Sequence, residues 1–278
     1  MTTPPATTSG IVELVPGQLH RLGGVIPRDE RVSWSAPGPA TLEPSNSYLL
    51  TGSGAATLID PGIAVLGDVV AQQIVDIVGE ETPIQVFLTR MEPDVVTGLK
   101  HVMARLPVRR VFAGGNTNPF DFFDDLNSSS MVRATYQTTL ERKKAGETLE
   151  VGPDRSLAVV STPMRILTTF WPYDGATGTL FTSDSFGYLG VSSEDQRPVA
   201  EELAGACDRD AVRRWLLAKF EWLDGARTGD VAGGLRKIAA AQDIRRIAPA
   251  HGCVLEGREV ARSHFDLIIE LTEEVGSR

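Results

Sequence analysis

The segment from residue 89 to residue 98 constrains the fold of this chain more than any other part of the sequence. It directly follows a strand-like apolar run and reads Thr-Arg-Met-Glu-Pro-Asp-Val-Val-Thr-Gly. Many dinuclear metal sites place the pattern His-x-His/Glu-x-Asp-His just after a strand, because one turn then directs four ligands at a single point. Here Glu92 and Asp94 keep the carboxylate positions, but Arg90 and Val95 stand where imidazoles are required. Valine has no lone pair and arginine offers no acceptor, so the segment predicts the fold of such a site without its full ligand set.

The composition is that of an ordinary globular chain and excludes several classes of partner. Of the 278 residues, 42% are apolar and 23% are charged, and the formal net charge is −9. A chain of this acidity does not offer the basic patch that nucleic acids and anionic membranes require. No apolar run approaches the ~20 residues of a membrane span. We therefore expect neither a nucleic-acid partner nor a membrane partner.

The N-terminal segment and the cysteines favour a cytoplasmic location. Residues 1–15 lack the basic start and apolar core of a signal peptide. We predict that they form a disordered tail, followed by a single domain over residues 16–278. The two cysteines, Cys207 and Cys253, form no Cys-x-x-Cys pair, so neither a thiolate zinc site nor an iron–sulfur cluster is expected. Reduced thiols, as in the cytoplasm, are the default for such a pair.

Apolar periodicity divides the chain into two halves with a similar succession of strands and helices, and in each half strands end in polar motifs. Strands are predicted over residues 46–50, 56–59, 84–88, 110–113, 156–161, 179–182 and 244–248. Helices are predicted over residues 65–78, 97–106, 208–224, 231–241 and 259–274. A short helix or capping loop is predicted over 118–126, and a loop over 163–174. Two such βαβ-rich halves predict two β-sheets packed face to face and covered by helices.

Six short motifs occur in a fixed order along the chain. They are Asn46-Ser47-Tyr48-Leu49-Leu50, Leu58-Ile59-Asp60-Pro61-Gly62, Arg90-x-Glu92-x-Asp94, Thr162-Pro163-Met164-Arg165, Leu180-Phe181-Thr182-Ser183-Asp184-Ser185-Phe186-Gly187 and Ala248-Pro249-Ala250-His251-Gly252. This order resembles the metallo-β-lactamase superfamily, and most closely the diiron domain of flavodiiron proteins, which reduce dioxygen or nitric oxide. The resemblance covers roughly residues 40–275 and implies a four-layer αββα sandwich of the α/β class. The flavodoxin-like domain that usually follows is not expected, because the sequence stops at Arg278, and no bound flavin is expected either.

The resemblance also assigns each ligand position of a diiron centre to a residue of this chain. One iron would require Arg90, Glu92, Arg165 and Asp184. The other would require Asp94, Val95, Asp184 and His251. Three of the four histidine ligands that the resemblance requires are replaced by other residues. The whole chain contains only four histidines. The resemblance therefore implies at most one metal ion, zinc or iron, held by Asp94, Asp184 and His251.

The charges at these positions predict how the site could exist without metals. Facing carboxylates repel one another in a low-dielectric pocket, and guanidinium groups pair with carboxylates through bidentate hydrogen bonds. Two arginines, three carboxylates and a protonated imidazole sum to zero; they are Arg90, Arg165, Glu92, Asp94, Asp184 and His251. We predict a buried ion network in place of the metal cluster. In this hypothesis Arg90, Glu92 and Arg165 form the ligand-binding part of the pocket.

Three functions are compatible with these residues. The leading hypothesis is a degenerate member of the superfamily, without a dinuclear centre, that binds a small ligand or a partner, or performs metal-free chemistry. The second is a mononuclear metal-dependent hydrolase, and the third is an oxidoreductase related to flavodiiron proteins with unusual iron ligation. No residue is assigned a catalytic role. The aromatic helix residues Trp215, Phe220 and Trp222 predict either core packing or a homodimer contact.

Overall fold

In the part of the chain that the structure describes, the first β-sheet contains seven strands, which follow one another in chain order. The computed structural model describes residues 10–28, 42–52, 56–122 and 137–276. In this sheet the strands are β1 (Val12–Val15), β2 (Leu19–Pro27), β3 (Leu42–Thr51), β4 (Ala56–Ile59), β5 (Ile84–Leu88), β6 (Val108–Ala113) and β7 (Thr139–Arg142). Pairs from β1 to β4 are antiparallel, and pairs from β4 to β7 are parallel. The motifs that follow β4 and β5 therefore lie at the same edge of the sheet.

The second β-sheet has seven strands among the described residues, in the order β12-β14-β13-β11-β10-β9-β8. The strands are β8 (Thr148–Gly152), β9 (Arg155–Ser161), β10 (Phe170–Asp174), β11 (Thr179–Ser183), β12 (Val199–Ala200), β13 (Arg246–Pro249) and β14 (Val254–Glu256). The neighbours β11 and β13 are parallel. Their carboxyl ends, which carry Asp184 and His251, consequently lie side by side.

Helices cover the outer faces of the two sheets. Within the described residues they are α1 (Gly67–Val78), α2 (Pro93–Val96), α3 (Leu99–Arg105), α4 (Arg209–Lys219), α5 (Gly229–Ala241) and α6 (Arg258–Gly276). One apolar cluster packs α1 and α3 on the first sheet, and another packs α4, α5 and α6 on the second. None of these helices combines the length and the apolar surface that a membrane span requires.

A third apolar cluster joins the inner faces of the two sheets. Tyr48 and Phe87 come from the first sheet, and Leu157 and Phe181 come from the second. The rings of Tyr48 and Phe181 lie 5.3 Å apart between centroids, within the range of favourable aromatic contacts. The layers are therefore helix, sheet, sheet and helix, and the αββα sandwich predicted from the sequence is confirmed.

The predicted loop over residues 163–174 is wrong in its second half. Phe170–Asp174 form β10, which pairs with both β9 and β11 and is buried along its whole length. Pro172 lies within this strand, opposite Val159. Proline is uncommon inside a sheet because it cannot donate a backbone hydrogen bond, and this is why the sequence favoured a loop.

Other element boundaries also differ from the prediction. The expected disordered tail over 1–15 is wrong for Val12–Val15, which form β1, while residues 1–9 lie outside the described part of the chain. The predicted helix 208–224 ends at Lys219 and is followed by a 3₁₀ turn over Glu221–Leu223. Trp215 and Phe220 belong to the core, and Trp222 is exposed. The predicted segment 118–126 begins with a 3₁₀ helix over Pro119–Phe122, and residues 123–126 lie outside the described part.

Candidate functional site

Four strand ends bring the sequence motifs together at one edge of the sandwich. Asp60 follows β4, Arg90 lies just after β5, Ser183 ends β11 and His251 lies just after β13. The Ala250 amide donates a hydrogen bond of 2.7 Å to the Ser183 carbonyl oxygen. The ends of β11 and β13, 67 positions apart along the chain at this contact (250 − 183), therefore meet directly.

Two glycines allow the turn at His251 to approach the segment after Asp184. A Cβ at Gly187 would lie 2.5 Å from the His251 carbonyl oxygen. Gly252 has a φ of +84° and would place a Cβ 2.8 Å from the Gly187 backbone. Any larger side chain would force the two segments apart. The glycines therefore fix the spacing between Asp184 and His251.

Arg90 is the centre of the site and is 1% exposed. Its Nη2 contacts Asp94 Oδ2 and lies 2.7 Å from Asp184 Oδ1, and its Nε lies 3.3 Å from Glu92 Oε2. Its Nη1 donates a hydrogen bond of 2.7 Å to the Ser183 hydroxyl. Burial alone would lower the pKa of Arg90, but the carboxylates of Asp184, Asp94 and Glu92 together raise it above its usual range. The predicted ion network is therefore built around Arg90.

His251 extends this network to the opposite side of Asp94. Its Nε2 lies 2.6 Å from Asp94 Oδ2, and its Nδ1 lies 3.8 Å from Glu43 Oε1. Glu43 in turn accepts a hydrogen bond of 2.8 Å from Arg28 Nε. Burial alone would raise the pKa of Asp94, but Arg90 and the hydrogen bond from His251 hold it well below its usual range. Asp94 is thus an ionised carboxylate shared by two donors.

The second cation of the network is Lys219, which the sequence reasoning missed. Its Nζ lies 2.9 Å from Asp184 Oδ1, and its side chain is 9% exposed. Arg165, the predicted second cation, is exposed and takes part in no ion pair among the described residues. A signal for Lys219 does exist in the sequence. It stands four residues after Trp215 and three after Leu216, on the apolar face of α4, where a lysine requires a buried partner.

The short polar side chains of Asp60, Thr89 and Ser183 form a hydrogen-bonded group that contacts Arg90. The Thr89 amide and hydroxyl donate to the Asp60 carboxylate at 2.8 and 2.7 Å, and the Thr89 hydroxyl oxygen lies 2.8 Å from the Ser183 hydroxyl oxygen. Asp60 and Ser183 both have left-handed backbones, with φ of 53° and 54°, a conformation that costs on the order of 1–3 kcal/mol for such residues. Burial raises the pKa of Asp60 to about 7, against the opposing effect of the Thr89 hydrogen bonds. Asp60 therefore acts on the site through Thr89 and Ser183.

A cleft of about 290 Å³ opens next to the ion network. Its walls are formed by Glu92, Pro93, Asp94, Ile166, Ala218, Lys219 and Glu221. Glu92 is the network carboxylate with the most exposed side chain, at 26%. Burial raises the pKa of Glu92, and Arg90 only partly offsets this. The cleft thus gives solvent access to the edge of the site.

The donor atoms near Arg90 limit how a metal ion could be held. One ligand atom from each of Asp94, Asp184 and His251 lies within 4.8 Å of the others, a spacing that suits a single ion. At the positions that would complete a dinuclear set, Arg90 is a cation and Val95 is buried in an apolar cluster. Neither side chain supplies an electron pair to a metal. Asp94, Asp184 and His251 offer donor atoms for one ion, and that ion would compete with Arg90 for both carboxylates.

Comparison with known proteins places the sequence in a family. Residues 44–252 match the sequence model of the family described as "ODP family beta lactamase". The chain belongs to this ODP beta-lactamase family. The match includes Arg90, Glu92, Asp94, Asp184 and His251, so the whole ion network except Arg28 and Glu43 lies inside the family region. The search of curated proteins finds no match to this ODP-family chain.

Solved structures share the fold of this ODP-family chain at low sequence identity. Rubredoxin oxygen:oxidoreductase from Desulfovibrio gigas superposes with a TM-score of 0.67 at 16% identity, covering 95% of this chain and 61% of that one. The Flv1 flavodiiron core from Synechocystis gives a TM-score of 0.68 at 19% identity, covering 93% and 61%. A chemotaxis sensor named ODP, determined as a peroxy diiron species, gives 0.57 at 14% identity, covering 96% and 94%. This chain spans about three fifths of the length of the first two proteins.

Proposed function

We propose that this chain is a degenerate member of its family that lacks the dinuclear metal centre and binds a small ligand at its ion network. The observation that carries the proposal is the position of Arg90. A single buried guanidinium contacts Glu92, Asp94 and Asp184, the three carboxylates that the family resemblance assigns to metal ligation. The guanidinium thus provides the positive charge that a metal would otherwise supply.

The charges of the network support this interpretation. With His251 as imidazolium, the four positive side chains balance four negative ones; they are Arg28, Arg90, Lys219 and His251, with Glu43, Glu92, Asp94 and Asp184. Each of these charges has an ion partner, which offsets part of the cost of burying it. Counted in this way, the network is neutral without an additional cation.

Electrostatic repulsion further disfavours a metal beside Arg90. Because Arg90 Nη2 lies 2.7 Å from Asp184 Oδ1, an ion bound by that oxygen would lie close to the guanidinium. Two unit charges 4 Å apart repel by about 4 kcal/mol at an effective dielectric constant of 20, and a divalent ion doubles this energy. Three protein ligands would have to overcome this repulsion as well as the loss of the Arg90 contacts.

The cleft beside Glu92 is the place where we propose that the ligand binds. It is large enough for a small molecule and has both charged and apolar walls, as ligand sites commonly do. Arg165 precedes Ile166, one of the cleft residues, and remains part of the proposed ligand-binding set as an exposed cation outside the ion network.

A second candidate function is a mononuclear metal-dependent hydrolase. The close approach of Asp94, Asp184 and His251 favours it, since three protein ligands and open water positions are typical of catalytic zinc sites. A metal there would lower the pKa of a bound water to generate a nucleophile. The flavodiiron-like oxidoreductase is a third candidate, favoured by the fold alone.

Metal analysis separates these three functions. We expect protein purified without chelator to contain less than about 0.1 equivalent of zinc or iron. We also expect the melting temperature to stay unchanged when chelator, zinc or ferrous iron is added, because only a metal bound by the native state shifts it. The matched variant is His251→Ala, which should leave metal content unchanged if the site is metal-free.

Each of the other outcomes identifies a different function. About one equivalent of zinc or iron that is lost in His251→Ala would overturn the proposal in favour of the mononuclear hydrolase. About two equivalents of iron, together with a chelator-induced fall in melting temperature, would favour the flavodiiron-like oxidoreductase.

A further inference from the structure

The cleft beside the ion network presents charges of both signs on its walls. Glu92 and Glu221 contribute carboxylates and Lys219 contributes an ammonium group. Among the described residues Glu221 forms no ion pair. The one ion contact of Glu92 among these residues is the 3.3 Å approach to Arg90 Nε, and this approach is not a hydrogen bond. These two carboxylates are therefore available to accept hydrogen bonds from a ligand.

Lys219 is the buried cation that faces the cleft. Its side chain is 9% exposed, and its ion partner among the described residues is Asp184, at 2.9 Å. An ammonium group has three N–H donors, so this one contact leaves donors available on the cleft side. A buried ammonium favours a charged acceptor over water, because charge-assisted hydrogen bonds are roughly twice as strong as neutral ones.

The remaining walls of the cleft are apolar. Pro93, Ala218 and Ile166 line it, and Ile166 is 59% exposed. An isoleucine exposed to this extent at the mouth of a charged cleft offers a contact surface for a hydrocarbon group. A ligand that matches all walls therefore carries an ammonium group, a carboxylate and a short apolar chain.

We propose that this cleft binds a small zwitterion, an α-amino acid with an apolar side chain. Its ammonium group pairs with Glu92 and Glu221, its carboxylate pairs with Lys219, and its side chain packs on Ile166 and Pro93. A zwitterion leaves the net charge of the network unchanged, whereas a simple cation or a simple anion would disturb its balance. This inference rests on the proposed metal-free site, because a metal at Asp94 and Asp184 would alter the charge that the ligand meets.

The experiment uses L-leucine as the probe and two analogues that each lack one charge. Isopentylamine keeps the ammonium group, and 4-methylpentanoate keeps the carboxylate. Binding to the full chain is measured by chemical-shift titration of backbone amides, with chelator present. We expect leucine to bind at least tenfold more tightly than either analogue.

Matched variants assign each charge of the ligand. Glu92→Gln and Glu221→Gln should each weaken the binding of leucine and isopentylamine at least tenfold. Neither substitution should change the affinity for 4-methylpentanoate. Lys219→Met should weaken leucine and still bind isopentylamine as the wild type does, which also shows that the variant is folded. Glu81→Gln, at an exposed acid in the turn between α1 and β5, should change nothing.

Several outcomes would overturn the inference. An isopentylamine affinity equal to that of leucine would show a cation site, and an equal 4-methylpentanoate affinity would show an anion site. Absence of binding by all three probes would also reject it. Repeating the titration with zinc in place of chelator separates the two proposals. Zinc binding by the wild type would contradict the metal-free site. If neither zinc nor leucine binds, only the proposal of a zwitterionic ligand is contradicted.

Discussion

The ammonium group of Lys219 lies 2.9 Å from Asp184 Oδ1, the same oxygen that lies 2.7 Å from Nη2 of Arg90. One carboxylate oxygen is therefore held by two cations from different halves of the chain, Arg90 after β5 and Lys219 at the end of α4. This arrangement couples the position of α4 to the ion network. Loss of either cation would therefore remove one ion partner of Asp184.

Replacing Lys219 by methionine should destabilise the protein by about 1–3 kcal/mol, the usual cost of leaving a buried polar group without one of its partners. Asp184 keeps Arg90, so the cost should stay below that of an isolated buried charge. Urea unfolding at neutral pH measures the change in the free energy of unfolding. Lys237→Met is the control, since Lys237 is exposed on α5, and it should change stability by less than about 0.5 kcal/mol. Equal effects of the two substitutions would show that the Lys219–Asp184 contact does not contribute.

Replacing Arg90 by methionine should cost about 3–5 kcal/mol at neutral pH, because the buried carboxylates lose their shared counter-ion. Burial alone would raise the pKa of Asp94, and Arg90 is the group that most strongly lowers it, so without Arg90 the pKa of Asp94 in the folded variant should rise above the unfolded value. Stability gained from protonation of Asp94 is then present at low pH and lost as pH rises. The difference in unfolding free energy between Arg90→Met and wild type should therefore shrink as the pH is lowered from 7 to 4.

Arg165→Met is the control for this series. Arg165 is exposed and outside the ion network, so this substitution should stay within about 0.5 kcal/mol of wild type at every pH. A penalty for Arg90→Met that does not depend on pH would indicate lost packing of the side chain instead of uncompensated carboxylates.

Burial raises the pKa of Asp60 to about 7, and this predicts a pH dependence of stability. The folded state binds a proton that the unfolded state releases near the ordinary pKa of an aspartate, 3.8. The contribution of Asp60 to stability is therefore fully present below pH 3.8 and is lost as pH rises through about 7. Asp60→Asn keeps an acceptor for the Thr89 amide and removes the titration. Unfolding measured from pH 4 to 8 should show Asp60→Asn becoming more stable relative to wild type as pH rises, and a constant difference would mean that Asp60 is ionised throughout.

The strand-end motifs allowed most of the candidate site to be predicted from the sequence. Arg90, Asp94, Asp184 and His251 each stand within six residues after a strand whose position was recognised from its apolar pattern. Such residues are placed by the register of the sheet, so a motif in the sequence becomes a position in space. The fold followed from the order of these motifs for the same reason.

The residues outside such motifs could not be placed in this way. Lys219 comes from the end of a helix, and its partner Asp184 is 35 positions away along the chain, so only the three-dimensional packing of α4 joins them. Glu43 lies in β3 and Arg28 directly follows β2, and neither belongs to a motif that the sequence singled out. Arg165 was placed by alignment within a loop, and a loop has no hydrogen-bond register to hold a side chain at a fixed position. The pairing of Arg90 with the carboxylates was predicted correctly, but the second cation beside Asp184 is Lys219 and not Arg165.

Replacing Arg90 by histidine should open a metal site that the wild type does not offer. The substitution removes the cation that contacts Asp94 and Asp184 and adds an imidazole donor beside the ligand atoms of Asp94, Asp184 and His251. We expect Arg90→His to bind about one equivalent of zinc and to melt at a higher temperature with zinc than with chelator, since a metal bound only by the native state stabilises it. Calorimetric titration with zinc and thermal melts give the two readouts. Adding His251→Ala to this variant should abolish both effects, and Arg165→His, the same substitution at an exposed position, should produce neither. If Arg90→His folds but binds no zinc, the guanidinium is not what prevents metal binding. The stronger explanation is then that the site needs a further imidazole, for example at the position of Val95.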